Sequence, residues 1–215
     1  RKQAMSNNPN YIEINKNWLR TMLDYYDDKT GVAAGYSVIM PTGFFYGLQS
    51  ADWLYLLSVA SGGDGVGVPI SCVGNNMSYR RAAYDEVGGY ENLRFSITED
   101  FLLLQKINKD SSYKRTVFPV DNDTKNVTLP CLNLTQLFRQ KKRWAMGGMG
   151  EFNFGIVVGV LSWLTGAVIL TGWAYLSLQS YLFFFIVKLL FDSVFLFPAI
   201  KEFKMFRVYL YMPFY

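Results

Sequence analysis

The chain has 215 residues, with 21 lysines and arginines, 17 aspartates and glutamates, and no histidine. The lack of histidine excludes Ser-His-Asp and Cys-His catalytic systems and HExxH zinc sites, because each requires an imidazole. The cysteines, Cys72 and Cys131, have no CxxC partner, so neither a zinc cluster nor a disulfide framework is expected. A net charge of +4 is too small to indicate a nucleic-acid partner.

The first 130 residues alternate between helical and strand patterns. The apolar spacing predicts helices at residues 17–26, 44–58, 80–87 and 98–109, strands at 32–39, 68–73 and 114–118, and a glycine loop at 61–67. Such alternation favours an α/β domain with a mostly parallel or mixed sheet and flanking helices. The glycine loop matches neither GxGxxG nor GxxxxGK[ST] and leads into a strand, so we interpret it as a mobile connection near a site.

Charge is distributed unevenly, because residues 152–187 contain no charged side chain. A bilayer core about 30 Å thick requires roughly 20 apolar helical residues. The segments 154–176 and 181–200 each reach that length, with a short polar turn between them. The sequence therefore predicts two transmembrane helices and the start of a further segment.

Lys188 and Asp192 in the second span are four residues apart and are predicted to pair. The pair would either hold the helices together or form a polar lining for a passing sugar chain.

Basic residues flank this hairpin on both outer sides, whereas the turn inside it is uncharged. They are Arg139, Lys141, Lys142, Arg143, Lys201, Lys204 and Arg207. Since cytoplasmic flanks of membrane helices are enriched in lysine and arginine, the preceding domain and both ends of the hairpin are predicted to be cytoplasmic. Nothing at the N-terminus resembles a signal peptide.

Three short segments carry the candidate chemistry, and each also has a purely structural interpretation. The first is residues 96–100, where Ser96 and Glu99 are spaced as a capping box and acidic residues suit a helix start. The alternative is that Asp100 is a general base, held ionised by the same helix terminus and aimed into a cleft. Both interpretations can hold, since Glu99 can cap the helix while Asp100 acts.

The second segment is residues 140–144, with the order Q-x-x-R-W directly before the first span. An ordinary interfacial helix explains the basic charge and the tryptophan, but not this order. Arg143 offers a planar set of donors suited to a diphosphate, and Trp144 offers a flat face for a sugar ring. Gln140 lies one helical turn earlier and supplies an amide.

The third segment is residues 73–81, which read as a strand, a turn and a helix with ordinary capping by Ser78. Its small and amide residues, Gly74, Asn75 and Asn76, could equally shape a sugar pocket at the strand end.

The order GNNMSYRRxAYDEVGGY, then TED at 98–100, then QxxRW, then paired apolar spans resembles the membrane-bound inverting family 2 glycosyltransferases. That group includes cellulose, chitin and hyaluronan synthases and ceramide glucosyltransferase. The resemblance implies a GT-A fold, a UDP-sugar donor and a Mg²⁺ or Mn²⁺ ion. It further implies that Asp100 deprotonates the acceptor. It assigns to substrate binding Thr98, Glu99, Gly74, Asn75, Asn76, Gln140, Arg143 and Trp144.

The chain departs from that family in lacking the upstream DxD that holds the metal. Its one Asp-x-Asp, at residues 121–123, follows TED and is predicted to be a loop turn. Either the upstream half is missing or the protein is a degenerate relative, and the first residue, Arg1, favours truncation. The expected organisation is residues 1–130 as the C-terminal half of a GT-A-like domain, 131–151 as an amphipathic interfacial helix, and 152–215 as transmembrane helices.

These observations predict an integral membrane glycosyltransferase that transfers sugar to a glycan or lipid acceptor at the cytoplasmic face. The chain by itself is expected to be inactive, with no metal ligand of its own. The rival interpretation is a non-catalytic membrane scaffold that keeps the fold and binds partners. An intact upstream DxD in the parent gene would favour the enzyme.

Overall fold

The computed structural model describes residues 12–96, 98–148 and 154–215 of the chain. Their strands are β1 (Ile12–Ile14), β2 (Thr30–Ala34), β3 (Ser37–Ile39), β4 (Met77–Tyr79), β5 (Arg115–Val117) and β6 (Asn126–Thr128). Their α-helices are α1 (Trp18–Asp24), α2 (Phe44–Gly65), α3 (Arg81–Glu86), α4 (Glu99–Asp110), α5 (Leu134–Gly148), α6 (Phe154–Thr171) and α7 (Leu178–Phe203). Short 3₁₀ helices lie at Gly74–Asn76, Tyr90–Asn92, Gly172–Ala174, Phe206–Leu210 and Met212–Phe214.

The described strands form two three-stranded mixed sheets. In one, β2 is central, antiparallel to β4 and parallel to β5; in the other, β6 is central, antiparallel to β1 and parallel to β3. All five residues of β2 are buried, which makes this strand the centre of the domain. The α/β class and the mixed pairing predicted from the sequence are therefore confirmed.

Residues 32–39 form parts of two strands, although the sequence predicts one. The break lies at Gly35, whose N–H donates to the Asn76 carbonyl at 2.9 Å. A Cβ at Gly35 would lie only 2.7 Å from Asn76 Nδ2, so a larger residue would force the two segments apart. The chain can therefore leave one sheet and enter the other within two residues.

Two further predictions about this region are wrong. Helix α2 does not stop before the glycines but continues to Gly65, where a loop was expected. Tertiary contact supports its end, since Ser61 Oγ donates to the Phe118 carbonyl at 2.7 Å, although each glycine costs a helix roughly 1 kcal/mol. The predicted strand at 68–73 has no regular structure, and the pairing falls on β4 instead.

The hydrophobic core lies between the β2 sheet, α2, α4 and the end of α7. Leu54 of α2, Leu104 of α4 and Ile200 of α7 are each at most 1% exposed. The ring of Tyr36 contacts Phe118 and Phe203, with centroid distances of 5.3 and 4.9 Å. The final turns of the second predicted span are thus part of the domain core.

Two helical segments, Gly155–Ala174 and Leu178–Phe203, are long and apolar enough to cross a membrane by length and composition. The second begins earlier and ends later than the predicted 181–200. Lys188 and Asp192 lie 2.7 Å apart, so the predicted pairing is confirmed.

Candidate active site

The carboxyl group of Asp100 lies at the first turn of α4 and is held by two backbone donors. Oδ2 accepts a hydrogen bond from Gly74 N–H at 2.6 Å, and Oδ1 accepts one from Phe101 N–H at 2.8 Å. Burial raises the pKa of Asp100 above its usual value, and the neighbouring Glu99 charge also raises it. The carboxylate is therefore both oriented and more basic than that of an exposed aspartate.

The predicted capping box at the start of α4 does not form. Thr98 is the N-cap and its side chain makes no capping hydrogen bond. Ser96 Oγ instead accepts from Thr98 N–H at 3.1 Å, two residues along the chain. Glu99 is exposed, so the structure leaves its carboxylate facing solvent beside Asp100.

Gly74 brings the loop of residues 74–76 against Asp100. A Cβ at Gly74 would lie 3.1 Å from Asp100 Oδ2, so glycine permits the close backbone approach. The next side chain, Asn75, is exposed, and its Oδ1 accepts from Ser37 Oγ–H at 2.6 Å. Gly74 therefore lies next to the candidate base, and the role of Gly74 and Asn75 in a sugar pocket stays a prediction.

The side chain of Asn76 is buried and hydrogen-bonded within the domain. Its side chain is 1% exposed; Nδ2 donates to the carbonyls of Tyr36 and Thr124, and Oδ1 accepts from Trp18 Nε1–H at 2.7 Å. Both amide donors are thus committed to protein groups. Asn76 therefore ties the two sheets together, and neither of its amide donors is available to a substrate.

The QxxRW residues lie on α5, with Gln140 and Trp144 half-buried and Arg143 exposed. Trp144 stacks on Trp53 of α2 with a centroid distance of 4.7 Å and an interplanar angle of 20°. One face of Trp144 is therefore covered by protein. Gln140 Oε1 accepts a weak hydrogen bond from the Cys131 thiol at 3.5 Å.

The end of α5 meets the start of α4. A Cβ at Gly147 would lie 2.6 Å from Thr98 Oγ1, so the helix can approach Thr98 this closely only with glycine at this position. This contact brings the TED and QxxRW segments together in space, although about 40 residues separate them along the chain. Both segments border the same region of the domain surface.

Two residues of this region were not found from the sequence, Ser37 and Trp53. The Trp53 indole N–H donates to the Ser37 carbonyl, and the Ser37 hydroxyl donates to Asn75. These are tertiary contacts, which short-range spacing does not encode. A signal did exist for Trp53, since polar Gln49 and Asp52 precede it at helical spacing in the mostly apolar first half of the helix.

The Asp-x-Asp segment at 121–123 is a turn, as predicted. Asp121 Oδ1 accepts from Asp123 N–H at 2.7 Å, and the Asp123 carboxylate accepts from the side chains of Asn15 and Asn17. Within residues 12–96, 98–148 and 154–215, no group of three or more His, Cys, Asp or Glu side chains could hold a metal ion. The described residues do not fit a divalent metal, and Mg²⁺ or Mn²⁺ stays a prediction from the family resemblance.

A cleft of about 380 Å³ lies elsewhere, at the far end of α4. The residues around it include Asp64, Gly67, Asn108, Lys114 and Arg115. Asn108 is eight positions beyond Asp100 on α4, roughly 12 Å at 1.5 Å per residue. This cleft does not contain any of the predicted site residues.

The mixed α/β fold is consistent with the result of a comparison to known protein families. The family model described as Glycosyl transferase family group 2 matches residues 14–215, nearly the whole chain. The chain therefore belongs to this family, and its activity is the transfer of a glycosyl group. Searches of curated proteins and of solved structures gave no match.

Proposed function

We propose that this protein is a membrane-attached inverting glycosyltransferase with Asp100 as its general base. The observation that carries the proposal is the environment of Asp100: two backbone N–H groups orient its carboxyl group, and burial raises its pKa. A carboxylate of raised pKa accepts a proton more readily at neutral pH than an ordinary aspartate does. The donor is a nucleotide sugar, most simply a UDP-sugar, and the acceptor is a glycan or lipid hydroxyl.

The proposed reaction is a single displacement. Asp100 removes the proton from the acceptor hydroxyl, the acceptor oxygen forms a bond to the anomeric carbon, and the bond to the nucleoside diphosphate breaks on the opposite side. The configuration at the anomeric carbon is thereby inverted. Arg143 is exposed, and its planar donors suit the departing diphosphate.

The remaining predicted residues take supporting roles in the proposed site. Thr98 and Glu99 flank the base at the start of α4, and Gly74 and Asn75 form the adjoining wall. Because Trp53 covers one face of Trp144, an acceptor sugar would contact the other face or an edge of that indole. Gln140 lies on the same helix and supplies an amide toward the donor.

Attachment to the cytoplasmic face of a membrane is supported by helix α5 together with the two apolar helices. The outward side of α5 exposes Leu134, Phe138 and Met146, at 72, 69 and 56%. Arg139 and Lys142 lie on the same exposed side. Apolar and basic side chains combined on one helix face suit the interface of an anionic bilayer, which the positive-inside rule places on the cytoplasmic side.

The test is nucleoside diphosphate release by the purified full-length parent protein in detergent, with UDP-glucose, UDP-N-acetylglucosamine and UDP-glucuronate as donors and oligosaccharides or lipid extract as acceptors. Asp100→Asn should lower turnover by about 10² or more, as loss of a general base does. The replacement amide has one oxygen and can accept from only one of the Gly74 and Phe101 N–H groups, so a small decrease in melting temperature is expected beside the much larger loss of turnover. Asp110→Asn, at the exposed end of the same helix, is the matched control.

The pH dependence provides a second readout. Since Asp100 must be ionised to accept a proton and its pKa is raised, turnover should increase with pH through a midpoint above the usual aspartate range. Turnover of Asp100→Asn within threefold of wild type would contradict the assignment. Failure of the wild-type protein to release nucleotide from any donor would favour the membrane scaffold.

A further inference from the structure

One face of helix α2 is in contact with the segment that carries QxxRW. Gln49, Asp52 and Trp53 are spaced i, i+3 and i+4, so they lie on the same side of α2. Gln49 binds both backbone groups of Cys131: Nε2 donates to the carbonyl at 2.9 Å, and Oε1 accepts from N–H at 2.8 Å. This anchors the chain three residues before α5 begins. We call the side chains of Gln49, Asp52 and Trp53 the docking face.

The other two residues of the docking face hold α5 itself. Asp52 forms an ion pair with Lys141, and Trp53 stacks on Trp144. Lys141 Nζ also lies 5.4 Å from the centroid of the Trp144 ring. Lys141 and Trp144 are one helical turn apart, so the two contacts fix both the position and the rotation of α5 on α2.

The docking face also reaches the loop that holds the candidate base. Trp53 donates to the Ser37 carbonyl, Ser37 donates to Asn75, and the preceding residue, Gly74, donates to Asp100. A continuous series of side-chain and backbone contacts thus runs from Trp144 through Trp53 to Asp100. One rigid helix contacts both parts of the proposed site.

We propose that Asp52 and Trp53 are positioning residues that set the place of Arg143 and Trp144 relative to Asp100. The inference rests on the proposed function, but it assigns residues outside the TED and QxxRW motifs. Neither side chain needs to touch the substrate, because each acts through α5. Small displacements of groups that bind a reacting phosphate can lower turnover by up to about 10²-fold, so such residues should affect kcat.

Charge reversal at Asp52 tests the proposal with little effect on folding. The Asp52 and Lys141 side chains are 31 and 37% exposed, and ion pairs of this exposure contribute little to stability. Asp52→Lys should shift α5 by repulsion from Lys141. We expect kcat for sugar transfer to fall about tenfold or more, the donor KM to change by less than about twofold, and the melting temperature to fall only slightly.

The position of α5 on α2 can also be measured by spectroscopy, independently of catalytic activity. Two indoles stacked at 4.7 Å should give an exciton couplet in circular dichroism. Asp52→Lys should weaken this couplet, and the double variant Asp52→Lys/Lys141→Asp should restore both the couplet and kcat. The matched control is Asp110→Lys, which breaks the Lys106–Asp110 pair of similar exposure on α4 and should change neither.

The outcomes separate this inference from the proposed function. If Asp52→Lys keeps the wild-type couplet and kcat, or if the double variant restores neither, the positioning role is wrong. If the couplet follows the expected pattern and the wild-type protein transfers no sugar from any donor, the docking of α5 on α2 stands and the proposed function fails.

Discussion

Helices α6 and α7 have similar mean hydropathy but different surroundings. Both are apolar enough to cross a membrane, yet only 6% of the most apolar window of α6 is buried against protein, compared with 22% for α7. In α7 the burial is concentrated at the end, where Leu196 and Ile200 are fully enclosed. Apolar composition therefore identifies residues that avoid water but does not say whether lipid or protein replaces it. Substitutions in the two helices should separate these cases.

The largest difference in the free energy of unfolding between the two helices is expected when a core side chain of α7 is truncated. Ile200→Ala should lower the free energy of unfolding by about 2–5 kcal/mol, since it leaves a cavity in a packed core. Leu161→Ala in α6 is the matched change at a residue that is 58% exposed, and it should cost less than about 1 kcal/mol. Both are measured by unfolding in the same detergent. Equal losses would show that α7 is no more embedded in the domain than α6.

A smaller loss is expected from breaking the charged pair that only α7 carries. Asp192→Asn leaves Lys188 without its ionic partner, although the Tyr215 carbonyl still accepts from Lys188 Nζ at 3.1 Å. The cost should be at or below the roughly 2.5–3.5 kcal/mol of an unpaired charge in a membrane. Exchange of the two residues, Lys188→Asp/Asp192→Lys, should restore expression and stability if the pair is structural. Selective loss of product export in the exchanged variant would instead indicate a polar lining.

The smallest expected effect is a pH dependence of the free energy of unfolding. It arises from Asp64 in α2, the helix on which α7 packs. Burial raises the pKa of Asp64 to about 6, partly offset by a hydrogen bond from Phe118 N–H and by the Arg115 charge. The folded state therefore binds this proton more tightly than the unfolded state does. The resulting stabilisation is fully present below about pH 4 and is lost as the pH rises through about 6.

The measurement is the free energy of unfolding between pH 4 and 7, with and without Asp64→Asn. We expect the wild-type value to fall by on the order of 1–2 kcal/mol more than that of the variant across this range. Asp110→Asn serves as the control, because its pKa is lowered and its effect has the opposite sign. A variant with the same pH profile as wild type would remove Asp64 as the cause.

The sequence predicted those elements whose signals are local. Helix α4 was predicted within one residue at each end because its apolar positions follow the helical period. Strands β1 and β6 were missed because each has only three residues and pairs with strands distant in the sequence, which local spacing does not encode. The strand predicted at 68–73 failed because a short apolar run is equally compatible with a buried extended segment that pairs with nothing.

The same distinction applies to the candidate site. Asp100, Gln140, Arg143 and Trp144 belong to motifs that are contiguous or nearly so, and a reader of the sequence can find them. Trp53 could not be assigned this way, since its role depends on contacts with residues 16 positions before it and 91 positions after it. Conversely, Asn76 lies in a segment that the sequence predicts to bind sugar, but its side-chain amide hydrogen-bonds to backbone carbonyls at the junction of the two sheets.

The burial of the last turns of α7 has a practical consequence for protein production. A water-soluble version of the domain cannot be made by deleting everything after α5, because residues 196–212 supply core side chains such as Ile200, Phe203 and Met212. A design that removes α6 and the first part of α7, and joins α5 to the final turns through a flexible linker, would keep that core. The boundary of such a deletion therefore lies within helix α7.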